Sequence, residues 1–436
     1  MLPRINCRSV TRIATHLMIV LLCAPAWADE RGRPAHWVTA WGTSQQPNVT
    51  ATTLSNVTVR MIARVTLPGD TIRIRLDNTF SPDPVSIGRA SVGHRVQGAL
   101  LAAGSSQQVF FSGSPAVTIP AGGSVQSDAI SLTVHAWQDI AVSLYVPAMN
   151  VHPSQHGGAV VTSYVTAAGS GDSTADETRT PFTGMTTSMY WLKSIDVLSP
   201  HSTSAVVAFG DSITDGTCTT LDAHDRWEDW VSIRLELADG SEGSSRQGLG
   251  GPMSRFESEG SRRSIVNEGI GGNTITRENL KPPPDSTPGL ERLDRDVLSH
   301  SGVSHVVLFM GTNDIRREAS AAQVISGMQN IIQRVKAKGL KIYGVTIIPR
   351  HNVAPSGTNT GWNPAKTAIR NVVNQWIRTE APFDGILDFD RVVRQSANPD
   401  LLIPAFNCGD GIHPSPVGYY QMGKSVDLGL FGTADR

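Results

Sequence analysis

A short apolar run, Val206-Val207-Ala208-Phe209, ends abruptly in Gly210-Asp211-Ser212. A β-branched run without polar alternation fits a strand buried on both faces, and such strands occur in parallel sheets. After a polar loop, the segment from Arg226 to Leu235 reads as a helix. Strand, tight turn and helix commit this half of the chain to an α/β architecture. They also place Ser212 at the carboxyl edge of the sheet, where open α/β sheets bind ligands. The Gly-x-Ser-x-Gly elbow is absent around Ser212, which counts against the α/β-hydrolase fold. Strand-like runs at 204–209, 264–267, 304–310, 341–348 and 384–388 alternate with helical stretches near 225–238, 290–300, 320–338 and 363–380. That alternation predicts a parallel sheet with helices on both faces.

A serine hydroxyl needs a base to act as a nucleophile, and the base needs an orienting acceptor. Asp410-Gly411-Ile412-His413 offers both. Two residues separate the carboxylate from the imidazole, so one turn brings Asp410 onto one ring nitrogen and leaves the other for Ser212. Donors for a developing oxyanion are available in two places. Val306 to Asn313 is a buried run ending in an amide side chain, and Ile265 to Asn273 is a strand end running into glycines.

In this order and spacing the four blocks closely resemble the SGNH hydrolases, the GDSL-type esterases and lipases. The matching text is Gly210-Asp211-Ser212, the glycine block after Asn267, Gly311-Thr312-Asn313-Asp314 and Asp410-x-x-His413, over the second half of the chain. The resemblance implies a flavodoxin-like three-layer α/β/α sandwich. It implies Ser212 as nucleophile, His413 as general base and Asp410 as third member of the triad. It also implies an oxyanion hole made by the Ser212 amide, Gly272 and Asn313, with no cofactor. The start at Trp37-x-x-x-Trp41-x-x-Ser44 looks like the amino-terminal region of some secreted, two-domain members.

Residues 29–200 read as an all-β accessory domain. Val57, Val59, Met61, Ala63 and Val65 alternate with other residues, as do Ile72, Ile74 and Leu76, then Ile130, Leu132 and Val134, then Ile140, Val142, Leu144 and Val146. Period-two alternation broken by turns such as Pro68-Gly69-Asp70 predicts half-buried antiparallel strands, hence a β-sandwich, with a jelly roll as one form. The border with the catalytic domain, 201–436, falls near 198–204. Trp37, Trp41, Trp137, Tyr145, Tyr164, Tyr190 and Trp191 read as core or interface residues rather than as a sugar platform, so the domain is expected to be structural.

Arg4, Arg8 and Arg12 precede an apolar run from Leu17 to Ala24 and then Ala26-Trp27-Ala28. This is the pattern of a signal peptide over 1–28, cleaved after Ala28, and it predicts a secreted or periplasmic protein. The apolar run is too short for a stable membrane anchor. The formal net charge is −1, and loss of three arginines makes the mature chain more acidic. Nothing in that balance suits nucleic acid. Cys7 and Cys23 leave with the leader, and Cys218 and Cys408 remain. If the triad forms, their loops meet, and a Cys218–Cys408 disulfide is expected in an oxidising compartment.

Other features carry less. Gly171-Asp172-Ser173-Thr174 repeats the Gly-Asp-Ser text in a polar stretch without a following helix, and reads as a solvated loop. His152 and His156 lack a third ligand, so no metal is expected. His224 and Asp225 read as the start of a helix, with Asp225 near its cap. Asp314 reads as a support beside Asn313. The glycine- and serine-rich stretch at about 239–263 reads either as a wall of the acyl pocket or as a mobile loop.

The expectation is a secreted serine carboxylic-ester hydrolase that works through an acyl-enzyme on short acyl esters, acetyl above all. Acylated polysaccharide is one plausible substrate. The alternatives are a lipase or lysophospholipase, and a secreted carbohydrate-binding protein with a degenerate hydrolase domain.

Overall fold

A computed structural model describes residues 34–47, 52–245, 262–351 and 361–432, apart from the side chains of 239–245. The expected leader at 1–28 and most of the 239–263 stretch lie outside the described residues. Two architectures follow one another along the chain.

Up to Ser199 the elements are antiparallel strands in two main sheets. One has His36–Gly42, Leu192–Ser199, Gly69–Asp77 and Ile130–Val134 in that spatial order. The other is centred on Val57–Val65, flanked by Gln138–Val146 and Ser163–Val165. Their facing residues, among them Val59, Met61, Ile72, Ile74, Val142 and Leu144, are fully buried. The second sheet differs from the half-buried expectation. In Val57–Val65 only Arg64 reaches intermediate exposure. Its outer face is covered as well: Ile62 packs with Leu101, Ala141 and Val161. Arg60 donates to the carbonyls of Ala99 and Asp176 and stacks on Phe182. The loop containing Gly171-Asp172-Ser173-Thr174 is part of this cover rather than a solvated loop. Thr58 Oγ1 donates to the Gly171 carbonyl and accepts from the Ser173 amide, and Thr174 is buried.

The second architecture starts at Ser204. Its parallel sheet comprises β1 (Ser204–Gly210), β2 (Arg263–Gly269), β3 (Val303–Phe309), β4 (Lys341–Val345) and β5 (Gly385–Leu387), in the order β2-β1-β3-β4-β5. That is the flavodoxin-like order, with its switch point between β1 and β3. The helices are α1 (Ser212–Asp215), α2 (Trp227–Ser245), α3 (Gly289–Leu293), α4 (Thr312–Arg316), α5 (Ala321–Ala337), α6 (Pro364–Thr379), α7 (Phe389–Val393) and α8 (Pro416–Ser425). The last part of the expected 290–300 helix is a π-helical turn, Asp294–Leu298. Start signals are local: Ser320 and Gln323 form a capping box on α5, and Asn363-Pro364 and Ser415-Pro416 open α6 and α8. In α5, Val324, Met328, Ile331, Ile332 and Val335 are buried, a stripe one helix face wide. Among the described residues no helix is long and apolar enough to cross a membrane.

The faces of the parallel sheet are covered differently. Val206, Ala208, Val307 and Phe309 pack with Trp227, Phe389 and Tyr419 from α2, α7 and α8. Ala205, Val207, Val266 and Leu308 belong to a cluster that includes α5 and α6 and continues through Val38 and Ala40 into the sandwich. A buried polar seam runs beside it. Lys193 Nζ lies 2.8 Å from Glu268 and 3.0 Å from Asp296, and donates to the Thr43 carbonyl. Ser44 Oγ donates to Glu268, and His300 Nε2 lies 2.5 Å from the other oxygen of that carboxylate. Burial alone would raise the Asp296 carboxyl, but Lys193, Arg295 and Arg292 drive it far below the ordinary range.

Candidate active site

Close backbone packing at Gly210 and Gly269 shapes the site. A Cβ on Gly210 would lie 2.0 Å from Thr214 Oγ1, and one on Gly269 would lie 2.2 Å from the Asp215 amide. Only glycine lets α1 turn back onto the ends of β1 and β2. Asp211 caps α1 by accepting from the Ile213 amide at 3.0 Å, and Gly216 ends it in the left-handed region at φ 101°. Burial pushes the Asp211 carboxyl up to about 6, against the pull of the Ile213 amide. Ser212 is thereby the first residue of a one-turn helix and is 8% exposed.

Across from it, residues 407–414 form a tight loop between a 3₁₀ turn, Pro404–Phe406, and α8. Its ends pair as an isolated bridge between Asn407 and Pro414, and the Cys408 amide donates to the His413 carbonyl at 3.1 Å. Inside the loop, Asp410 Oδ1 accepts from the amides of Ile412 and His413 at 2.8 and 2.9 Å. Asp410 Oδ2 lies 2.6 Å from His413 Nδ1. The carboxylate accepts a hydrogen bond from Nδ1–H, which leaves Nε2 as an acceptor. Ser212 Oγ stands 2.8 Å from that nitrogen. Partial burial would raise the Asp410 carboxyl, but the hydrogen bonds from the His413 ring and amide outweigh it and hold it down to about 2. Unlike the serine, Asp410 and His413 come from an irregular loop and not from a strand end.

The other two positions named by the resemblance lie after β2 and β3. Gly272 has φ 70°, and a Cβ there would meet nothing within 4 Å. Asn313, in the first turn of α4, is buried and donates one amide hydrogen to the Asn273 carbonyl at 3.1 Å. Asp314 accepts from the amides of Ile275 and Thr276, and so supports the glycine loop from behind. Burial raises its carboxyl to about 7.

Cys218 and Cys408 form a disulfide with Cα atoms 6.3 Å apart. It joins the segment after α1 to the loop bearing Asp410 and His413. Among the described residues, Cys218, Cys408 and Asp410 are the group close enough together to hold a metal ion, but two of the three would-be donors are disulfide sulfurs rather than thiolates.

Sequence reading missed two supports. Arg292, fully buried, donates to the carbonyls of Gly210 and Glu268, each at 2.9 Å, and to Asn273 Oδ1 at 3.0 Å. One guanidinium therefore fastens the ends of β1 and β2 to the glycine loop. Its position, eighty residues beyond the serine in an ordinary amphipathic helix, carried no motif. His156 is the second. It is buried against α1 at Asp215, whereas His152 is exposed. Asp225 lies near the cap of α2, two residues before the helix. It accepts from the Thr220 amide, and the Arg226 amide at the helix start donates to Asp229. Half-buried His224 is held down to about 4, first by desolvation.

A doubly wound sheet with this strand order, carrying a serine and its imidazole at the switch point, defines a carboxylic-ester hydrolase of the α/β/α class. Residues 208–421 match the GDSL-like lipase/acylhydrolase family, and the carboxy-terminal domain of the chain belongs to it. No curated protein matches the sequence. Among solved structures, the chain is similar to a carbohydrate acetylesterase from Sinorhizobium meliloti, at 17% identity and TM-score 0.35, covering 50% of this chain and 94% of that one. An inhibitor-bound aryl esterase from M. smegmatis gives the same four values. A GDSL-like lipase from Bacteroides thetaiotaomicron is similar at 16% identity and TM-score 0.32, over 52% of this chain and 88% of that one.

Proposed function

We propose that the protein is a secreted or periplasmic serine esterase that acts through an acyl-enzyme on short acyl esters, with acetylated carbohydrate as a substrate class. The observation that carries this reading is the contact of Ser212 Oγ with His413 Nε2 at 2.8 Å, with Asp410 on the opposite ring nitrogen. Ser212 donates its proton to Nε2 as Oγ attacks the ester carbonyl. Asp410 keeps the ring in the productive tautomer and stabilises its charged form. The amides of Ser212 and Gly272 and the Asn313 side chain receive the oxyanion. His413 then passes the proton to the departing alkoxide, and water attacks the acyl-enzyme by the same route in reverse. Asp410 and Gly271 are exposed at the rim, so a bulky alcohol moiety has access from solvent. The leader-like pattern of residues 1–28 supports export.

The test is acid release from p-nitrophenyl esters of increasing chain length and from acetylated xylan, by the wild type and Ser212→Ala. The expected result is turnover of short esters by the wild type and a loss of about 10⁴-fold or more in the variant. A preference for long chains would make it a lipase. A folded wild type that neither turns over esters nor reacts with a fluorophosphonate would make it a binding protein.

A further inference from the structure

His156 is 2% exposed and belongs to the sandwich, yet it touches the helix that carries Ser212. Its Nδ1 lies 2.8 Å from the Ser44 carbonyl, and its Nε2 lies 2.9 Å from Asp215 Oδ1. A carbonyl only accepts, so Nδ1 carries a hydrogen. An ionised carboxylate only accepts, so Nε2 carries one too. Both contacts are satisfied together by an imidazolium paired with Asp215. The other oxygen, Asp215 Oδ2, accepts from the Gly271 amide at 2.9 Å. Asp215 ends the helix that Ser212 begins, and Gly271 precedes Gly272. Arg226 strengthens the junction: it donates to the Asp215 carbonyl at 2.7 Å and to the Ala159 carbonyl of the sandwich at 2.6 Å.

We propose that His156 is a positioning residue of the hydrolytic site, a charged clamp that holds Asp215 and, through it, sets the glycine loop at its working distance from Ser212. The proposal rests on the oxyanion role given above to Gly272. It assigns the sandwich a part in catalysis without contact with substrate.

The charged groups around the ring set the pH response. Burial disfavours the imidazolium, and Arg226 does too. The Asp215 carboxylate, its hydrogen bond and the Ser44 carbonyl outweigh them, and His156 titrates above its ordinary value. Glu228, buried in the same interdomain cavity, is raised well above the usual carboxylate range, first by desolvation. The clamp is therefore intact below the ordinary histidine range and weakens as pH rises through the elevated value, which adds an alkaline fall to kcat.

The experiment combines kinetics on p-nitrophenyl acetate with residue-resolved amide exchange. In His156→Ala, kcat is expected to fall by about 10–100-fold, short of the loss of a whole oxyanion donor, with KM nearly unchanged. The Gly271 amide is expected to exchange about ten-fold faster or more once its acceptor is loose. Asp215→Ala is expected to behave alike. Asp215→Asn is expected to recover most of the loss and to lack the alkaline fall, because its amide donates to a neutral His156 while its oxygen still accepts from Gly271. Unchanged exchange at Gly271 in His156→Ala, or an Asp215→Ala enzyme as fast as wild type, would overturn the proposal. Should His156→Ala not fold, the Asp215 pair decides by the same readouts. A wild type without turnover would defeat the esterase reading alone, and exchange at Gly271 would still judge the clamp.

Discussion

The two halves of the site are held in opposite ways. The Ser212 side is deep: Asp211, Ser212, Asp215 and Asn313 are all buried, His156 reaches Asp215 from the sandwich, and Arg292 reaches the Gly210 carbonyl beside them. The Asp410–His413 side is shallow. The Asp410 side chain is 40% exposed, and its loop is fixed by short-range hydrogen bonds, the disulfide and a bond from the His351 amide to the Gly411 carbonyl. The contrast shows two routes to preorganisation. Charge developing on an oxyanion calls for rigid donors in a dry, low-dielectric setting. A base needs only the right tautomer at the right distance, and a local turn supplies that.

Breaking the buried supports of the deep side should cost folding stability as well as rate, whereas damage on the shallow side should cost rate with little loss of stability. Lys193→Met leaves Glu268 and Asp296 without their shared cation in a buried seam. Chemical denaturation should report a loss of about 3–5 kcal/mol, the usual cost of breaking a buried pair by removing one partner. A loss below about 1 kcal/mol would mean that the seam is not truly dry. Asp410→Asn lies on the shallow side. It should leave the melting temperature nearly in place while kcat drops about 10²–10⁴-fold, because the amide no longer enforces the tautomer. Equal losses in stability and rate would erase the distinction. The smallest effect on rate falls on the link between the sides. Replacing Cys218 and Cys408 by Ser should cost about 2–5 kcal/mol, with kcat reduced only several-fold, since hydrogen bonds within the loop remain.

The same division explains what could be read from the sequence. Strand periodicity located Val57–Val65, Gly69–Asp77 and Gln138–Val146, because side chains on one face of a strand must share one environment. Ser212 and Asn313 stood out because each follows a recognisable apolar run, and Asp410 and His413 because only two residues separate the carboxylate from the imidazole. The burial of Arg60 and of the loop around Ser173 was not legible, because that cover comes from segments 39 to 116 residues from the arginine they shield. His156 and Arg292 escaped for a related reason. A clamp between distant segments needs one suitable side chain at each end and leaves no periodicity and no motif. His156 stood in plain view as a failed metal ligand, and only the partner 59 positions away gives it meaning.

One apolar cluster runs from Val59 and Ile74 in the sandwich through Val38 and Ala40 to Val207 and Leu308 in the parallel sheet. The border near residue 200 is therefore a division of topology and not of cooperativity. A parallel-sheet domain grafted into this chain would therefore need a face that meets Val38 and Gly42 where Val266 now stands.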